Sequence, residues 1–184
     1  MEAKKLKTFE DLQAAWQEDE RLELISGEII KRPMARYEHG AIQIAVGSEL
    51  APYKKNKGPG GWWIATEISI KYSDYHCPAH DLAGWRKERV QDKPSGVMEI
   101  TPDWVCEITS PGHEKKDLLD NLLFLQKYKV PYYWIISPEG QSLIAYKLVG
   151  EKYSLIETIE YCEGIVRIEP FIEIDFDLSY IFEN

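Results

Sequence analysis

The chain has 184 residues, 44% hydrophobic and 29% charged, and a net charge of −9. Such a length suits one domain, 1–184, with a sizeable core, and the composition is that of an ordinary soluble globular protein. The negative charge excludes a broad basic surface that coats nucleic acid non-specifically, but not a nucleic-acid enzyme, because a metal-dependent site is itself a cluster of acids.

The start, "MEAKKLKTFEDL", has no apolar core like that of a signal peptide. "TFEDLQAAWQED" predicts a first helix capped by Thr8, with Phe9, Leu12 and Trp16 on one face. "RLELISGEIIKRP" predicts two short strands about a turn at Ser26-Gly27. "YEHGAIQIAVGSELAPYKK" reads as one helix striped by Ile42, Val46 and Leu50, and "NKGPGG" as a loop. "WWIATEISIKY" alternates like a strand, with Ile68 and Ile70 on one side, and "CPAHDLAGW" is a further short strand. A polar connector, "RKERVQDKPSGVMEIT", precedes the strand "PDWVCEITSP" and the long helix "HEKKDLLDNLLFLQKYK". "VPYYWIISPEG" is a strand ending in a turn, and "SLIAYKLVGEKYSLIET" a hairpin about Gly150. The tail adds short extended pieces and a last helical turn. Strands grouped in hairpins and mixed with helices give an α/β class of the mixed α+β kind. No apolar run is long enough to span a bilayer. Cys77, Cys106 and Cys162 lie far apart with no zinc spacing, so a reduced, cytoplasmic protein is the expectation.

Three features carry candidate chemistry: Asp81 in "HDLAGW", Glu107 in "CEITSP", and Glu28 in "SGEII", with Glu49 as the alternative third acid. Glu107 stands inside an apolar strand, where an ionised carboxylate costs several kcal/mol unless something pairs with it. Hard divalent cations take oxygen ligands, so acids on neighbouring strand ends suit magnesium, which could activate a water and offset charge at a phosphodiester. The competing explanation is structural: acids at strand edges facing water or a basic partner. On the same grounds His80 reads as a hydrogen-bonded structural residue, His39, which opens a helix and could cap it or bind, as structural first, Lys115 and Lys116 as a solvated first turn, and Trp62, Trp63 and Trp134 as core or strand residues.

The series "LELISGEIIKRPMARYEHGAIQ", "HDLAGWRKERV", "PDWVCEITSP" and "KYKVPYYWIISP" resembles the Uma-two family of restriction-endonuclease-like proteins, from about Leu22 to the end of the chain. The resemblance implies the PD-(D/E)xK nuclease superfamily: a restriction-endonuclease-like mixed sheet flanked by helices, and phosphodiester hydrolysis, of DNA before RNA, with magnesium or manganese. It maps Asp81 and Glu107 onto the two acids of the motif and makes them metal ligands, with Glu28 as a third. The lysine two residues after the second acid is here Thr109. In this family that lysine is thought to have moved into the following helix, where this chain has Asn121. The proline before the first acid is His80. Asn121 donates a hydrogen bond but brings no positive charge. Two functions of different class therefore stand: a metal-dependent endonuclease with Asp81, Glu107 and Asn121 in its site, and a catalytically impaired nuclease fold that binds nucleic acid or a protein partner. A homodimer is compatible with both.

Overall fold

The protein is described from a computed structural model, which covers residues 5–55, 59–110, 114–161 and 164–183, with the backbone alone at 114–117. The predicted side-chain position of Lys115 and Lys116 and the surroundings of Cys162 lie outside the described residues.

Helix α1 (Phe9–Ala15) begins with a reciprocal cap. The Thr8 hydroxyl accepts from the Asp11 amide, and the Asp11 carboxylate accepts from the Thr8 amide at 2.8 Å. The hairpin β1 (Leu22–Ile25) and β2 (Glu28–Lys31) turns at Ser26 and Gly27, whose φ of 50° and 77° place both in the left-handed region that a two-residue hairpin turn requires. Phe9, Leu12, Leu24 and Cys77 form a small core joining this hairpin to α1.

The single helix expected over 37–55 is two, α2 (Tyr37–Glu49) and α3 (Ala51–Lys54). Pro52 supplies no amide hydrogen, and its ring would crowd the carbonyl one turn back, so the helix restarts at a position where proline is tolerated.

Six strands form the main sheet: β3 (Trp62–Ser69), β4 (Ala79–Arg86), β5 (Trp104–Ile108), β6 (Tyr132–Ser137), β7 (Ser142–Val149) and β8 (Lys152–Glu160), side by side in that order. Only β5 and β6 run parallel; the other pairs are antiparallel. The parallel pair needs a crossover, and α4 (Glu114–Lys127) provides it. Short β9 (Ile165–Val166) and β10 (Phe176–Asp177) pair with each other, and α5 (Leu178–Phe182) closes the described chain.

Alternation along the central strands divides the core. Trp104, Cys106 and Ile108 of β5, with Trp134 and Ile136 of β6, face α2, α3 and the C-terminal segment. Phe171 is the hub of that layer, its ring 4.8–5.6 Å from those of Tyr53, Trp62, Trp104 and Trp134. Val105, Tyr133 and Ile135 face the other way, onto α4. There Leu125 is fully buried, and Leu118 and Leu122 pack beside it at helical spacing, as predicted. The tryptophans are structural, as expected: the indoles of Trp16, Trp63, Trp85 and Trp134 each donate to a backbone carbonyl at 2.7–2.9 Å.

Candidate active site

The ladder between β4 and β5 spans Leu82↔Cys106 to Gly84↔Trp104. One step further Asp81 and Glu107 stand opposite each other, and there side chains take over from backbone pairing. The Asp81 Oδ2 atom accepts from the Ile108 amide at 2.8 Å, while Glu107 Oε2 accepts from the Asp81 amide at 3.4 Å. Each acid thus bonds to the backbone of the other's strand.

Their environments differ. Asp81 Oδ1 accepts from Arg32 Nη2 at 2.7 Å and faces His39 Nε2 of α2 at 3.1 Å. Burial opposes charge on Asp81, but the His39 contact, the Ile108 amide and the Arg32 guanidinium outweigh it and hold its pKa below the ordinary value. The same contact raises His39, which gains a carboxylate partner. Glu107 lacks such a cation in direct contact. Burial first, and the charge of Asp81 second, push its pKa well above the usual range. Its Oε1 makes a short hydrogen bond to His80 Nδ1. Burial depresses His80 to about 4. Burial thus disfavours the charged form of both partners in the Glu107–His80 hydrogen bond. The far side of the imidazole, Nε2, is 2.8 Å from the Tyr72 hydroxyl.

A ring of charge surrounds Arg32. Its Nε bonds Glu23 at 3.1 Å, Nη1 bonds Glu67, and Nη2 bonds Asp81. The guanidinium is largely buried, yet these carboxylates keep it firmly protonated. Glu23 also accepts from the Ala79 amide at 3.1 Å, which ties the hairpin to the start of β4. Gln43 of α2 donates at 2.7 Å both to Glu67 and to the Asp81 carbonyl.

Glu67 lies mid-strand with φ 50°, left-handed backbone that costs a non-glycine residue about 1–3 kcal/mol. The β3–β4 register runs Thr66↔Leu82 and Ile68↔His80 and skips the pair between them, so the irregularity falls opposite Asp81. It turns the Glu67 carboxylate toward Arg32. Donor atoms of His39, Glu67 and Asp81 all lie within 4.8 Å of one another. That spacing and its oxygen-rich donor set suit one divalent ion.

Of the residues picked from the sequence, Asp81 and Glu107 are brought together. Glu28 is not with them: it lies exposed beside the hairpin turn, opposite Ile25. It shares a strand face with Arg32 but lies four residues away, about 13 Å along the strand. Glu49 caps the far end of α2 against the C-terminal segment, accepting from the Asp177 amide at 3.0 Å. Asn121 is half-buried on α4 at the border of its leucine stripe. Arg32, Glu67, Glu23 and Gln43 did not stand out in the sequence. One signal was available: Glu23 alternates with Leu22 and Leu24 onto the strand face that Arg32 continues.

A cavity of about 340 Å3 opens elsewhere, among Tyr53, Trp62, Arg86, Tyr132, Glu169 and Glu173. Arg86 is five residues from Asp81 along β4, roughly 17 Å. Glu169 there already accepts from Tyr132 and Lys147, and Glu173 from Tyr53. The concentration of paired acids with displaced pKa values is at the Asp81 end instead.

The fold is a mixed six-stranded sheet flanked by helices, with two acids facing each other across the parted ends of central antiparallel strands. The chain belongs to the Uma2 family, described as "Putative restriction endonuclease", whose model matches residues 6–179. It is similar to a crystal structure of "a putative nuclease belonging to DUF820" from Anabaena variabilis ATCC 29413, with a TM-score of 0.73 and 22% identity over 96% of this chain and 97% of that one. At that identity the likeness establishes the shared fold. No curated protein matches the chain. Among the described residues no helix is long and apolar enough to cross a membrane.

Proposed function

We propose that the protein is a metal-dependent nuclease that hydrolyses phosphodiester bonds of DNA, with Asp81 and Glu107 as its central acids. The observation that carries this reading is their reciprocal bonding across the parted ends of β4 and β5. Glu67 and His39 complete the donor set around Asp81, and magnesium or manganese is the ion such a set suits. Glu28 stands outside it.

A bound divalent ion supplies a Lewis acid for the phosphoryl oxygens and lowers the pKa of a bound water. The protein's own residues do the remainder. Asp81 is held ionised and fixed in rotamer by Ile108, His39 and Arg32. Glu107 is hydrogen-bonded to His80 Nδ1, and burial and the charge of Asp81 oppose its ionisation; a bound cation would favour the carboxylate form. Tyr72 orients the His80 ring from behind. Asn121 is the polar group α4 offers at the place of the missing lysine.

A second reading is a nuclease fold that binds nucleic acid without cutting it. The neutral Asn121 favours it, as does the saturation of Asp81 by protein donors. Incubation of supercoiled DNA with magnesium or manganese separates the two. Nicking that is lost in Glu107→Gln supports the nuclease. Binding of the same DNA with calcium, and no nicking with any ion, supports the second reading.

A further inference from the structure

The site carries three carboxylates around one guanidinium, and the motif's lysine is absent from both of its places, Thr109 and Asn121. Hydrolysis of a phosphodiester builds negative charge on the phosphoryl oxygens, and a fixed cation aimed at them is worth a factor of about 10²–10³ in rate. Among the described residues no lysine lies within ion-pairing distance of Asp81 or Glu107; the cation that reaches Asp81 with a permanent charge is Arg32. We infer that Arg32 is the phosphate-binding residue of this site and supplies the charge that Asn121 lacks. The inference rests on the nuclease reading above.

The geometry gives it a means of doing so. Arg32 follows β2 directly, its amide donating to the Arg21 carbonyl at 2.9 Å, and Pro33 follows it, so its backbone is anchored. The guanidinium uses separate nitrogens for separate partners. Nε is held by Glu23, which also grips the Ala79 amide and so belongs to the frame of the site. Nη1 and Nη2 are held by Glu67 and Asp81, two members of the group whose donor atoms suit a divalent ion. In the metal-free protein Arg32 offsets the charge of those acids. His39, Glu67 and Asp81 would hold such a cation; its charge would offset the acids in place of Arg32 and leave the Nη1–Nη2 edge free for another acceptor, with Nε still on Glu23. The released edge is a planar fork of N–H donors matched to two phosphate oxygens, which an ammonium cannot reproduce. The Arg32 side chain is 22% exposed, so it is not sealed from solvent.

The test uses the full chain and four proteins: wild type, Arg32→Gln, Arg32→Lys and the double variant Arg32→Gln with Asn121→Lys. Manganese affinity is read by calorimetry, and cleavage of supercoiled DNA by gel, with melts to confirm folding. Arg32→Gln should bind manganese roughly tenfold more tightly or better, because a competing charge has gone. It should also cut about 10²-fold more slowly. Asn121→Lys in that background should recover at least tenfold of the loss, by restoring a cation from α4. If Arg32→Gln proves unfolded, Arg32→Lys decides: it keeps the charge without the fork and should still cut about tenfold more slowly than wild type. Wild-type cleavage in Arg32→Gln, or in Arg32→Lys when that is the variant read, overturns the inference and leaves the nuclease reading intact. An unrescued double variant also overturns it, since the lost role is then not that of the missing lysine. A wild type that binds no manganese and cuts nothing overturns both.

Discussion

Asp81 is the residue most naturally mutated to inactivate such a site, and it is also a structural hub. Its carboxylate is 5% exposed and holds three donors: Arg32 Nη2 at 2.7 Å, His39 Nε2 at 3.1 Å and the Ile108 amide at 2.8 Å. Asp81→Asn keeps one acceptor oxygen and replaces the other with an NH2 group. With the oxygen toward Ile108, the NH2 confronts Arg32 and His39, donor against donor; flipped, it confronts the Ile108 amide. Removing one partner of a buried ion pair costs about 3–5 kcal/mol. Arg32 retains Glu23 and Glu67, which places the expected loss near the lower end, about 3 kcal/mol. With a urea m-value of about 2 kcal/mol/M, the unfolding midpoint at pH 7 should fall by about 1.5 M. The sign with pH follows from the direction of the shift. A carboxyl whose folded pKa is depressed stabilises above its ordinary value of 3.8, and that stabilisation is lost as pH falls through the lower folded value. The gap between wild type and variant should therefore persist down to pH ~4 and close only below it. A midpoint shift worth less than about 1 kcal/mol at pH 7 would mean that the Arg32 contact behaves as a surface ion pair, and the buried network would be refuted.

Glu107→Gln should behave oppositely. A carboxyl with a raised folded pKa costs stability that appears above its ordinary value of 4.5 and grows until pH reaches the folded value. The stability of the variant relative to wild type should thus climb above pH 4.5 by up to about 1.4 kcal/mol per pH unit; a flat difference in urea midpoints would show Glu107 ionised throughout. As a ligand Glu107 must be ionised, so manganese affinity measured by calorimetry should rise more steeply with pH in wild type than in Glu107→Gln; equal slopes would remove Glu107 from the ligand set. Gly84→Ala should cost about 1–3 kcal/mol, because the added Cβ would sit 3.2 Å from the Trp62 ring and 3.3 Å from that of Trp104; an unchanged melting temperature would mean those rings move freely. Thr8→Ala should cost about 1 kcal/mol in the same melts by removing the α1 cap, and no change would make the capping contacts energetically idle.

Local signals were legible in the sequence where their cause is local. The Thr8 cap, the Ser26-Gly27 turn, the leucine spacing of α4 and the apolar run of β5 are each short-range signals, and the structure has them as read. Pro52 was equally local, but a continuous apolar stripe through Leu50 drew the helix across it. The site was legible in part. Asp81 and Glu107 could be paired because the resemblance to a family supplied their correspondence; composition and periodicity do not join residues 26 positions apart. Arg32 meets Glu67 and Asp81 over separations of 35 and 49, and nothing in "IIKRPMARY" signals that its guanidinium turns inward. Glu67 reads as an outward residue of an alternating strand, and only its left-handed backbone turns it to the site. Glu28 and Glu49 were the third acids considered, and Glu23 was missed, because hairpin register, not residue type, decides which acid approaches β4. The raised pKa of Glu107 was likewise tertiary, since the burial and the Asp81 charge that oppose its ionisation come from residues distant in sequence.

The most direct test of metal-dependent DNA hydrolysis at the Asp81–Glu107 pair is the rate at which pure protein nicks supercoiled DNA with manganese, wild type beside Glu107→Gln. Glu107→Gln is the better control than Asp81→Ala, because it keeps the side chain's shape at a position where burial opposes charge and leaves the Arg32 network in place. Wild type should nick the DNA only with the ion present, and the variant, folded and at least as stable, should be slower by about 10²-fold or more. Equal nicking by both proteins, or none by a wild type that is folded and loaded with manganese, would contradict it.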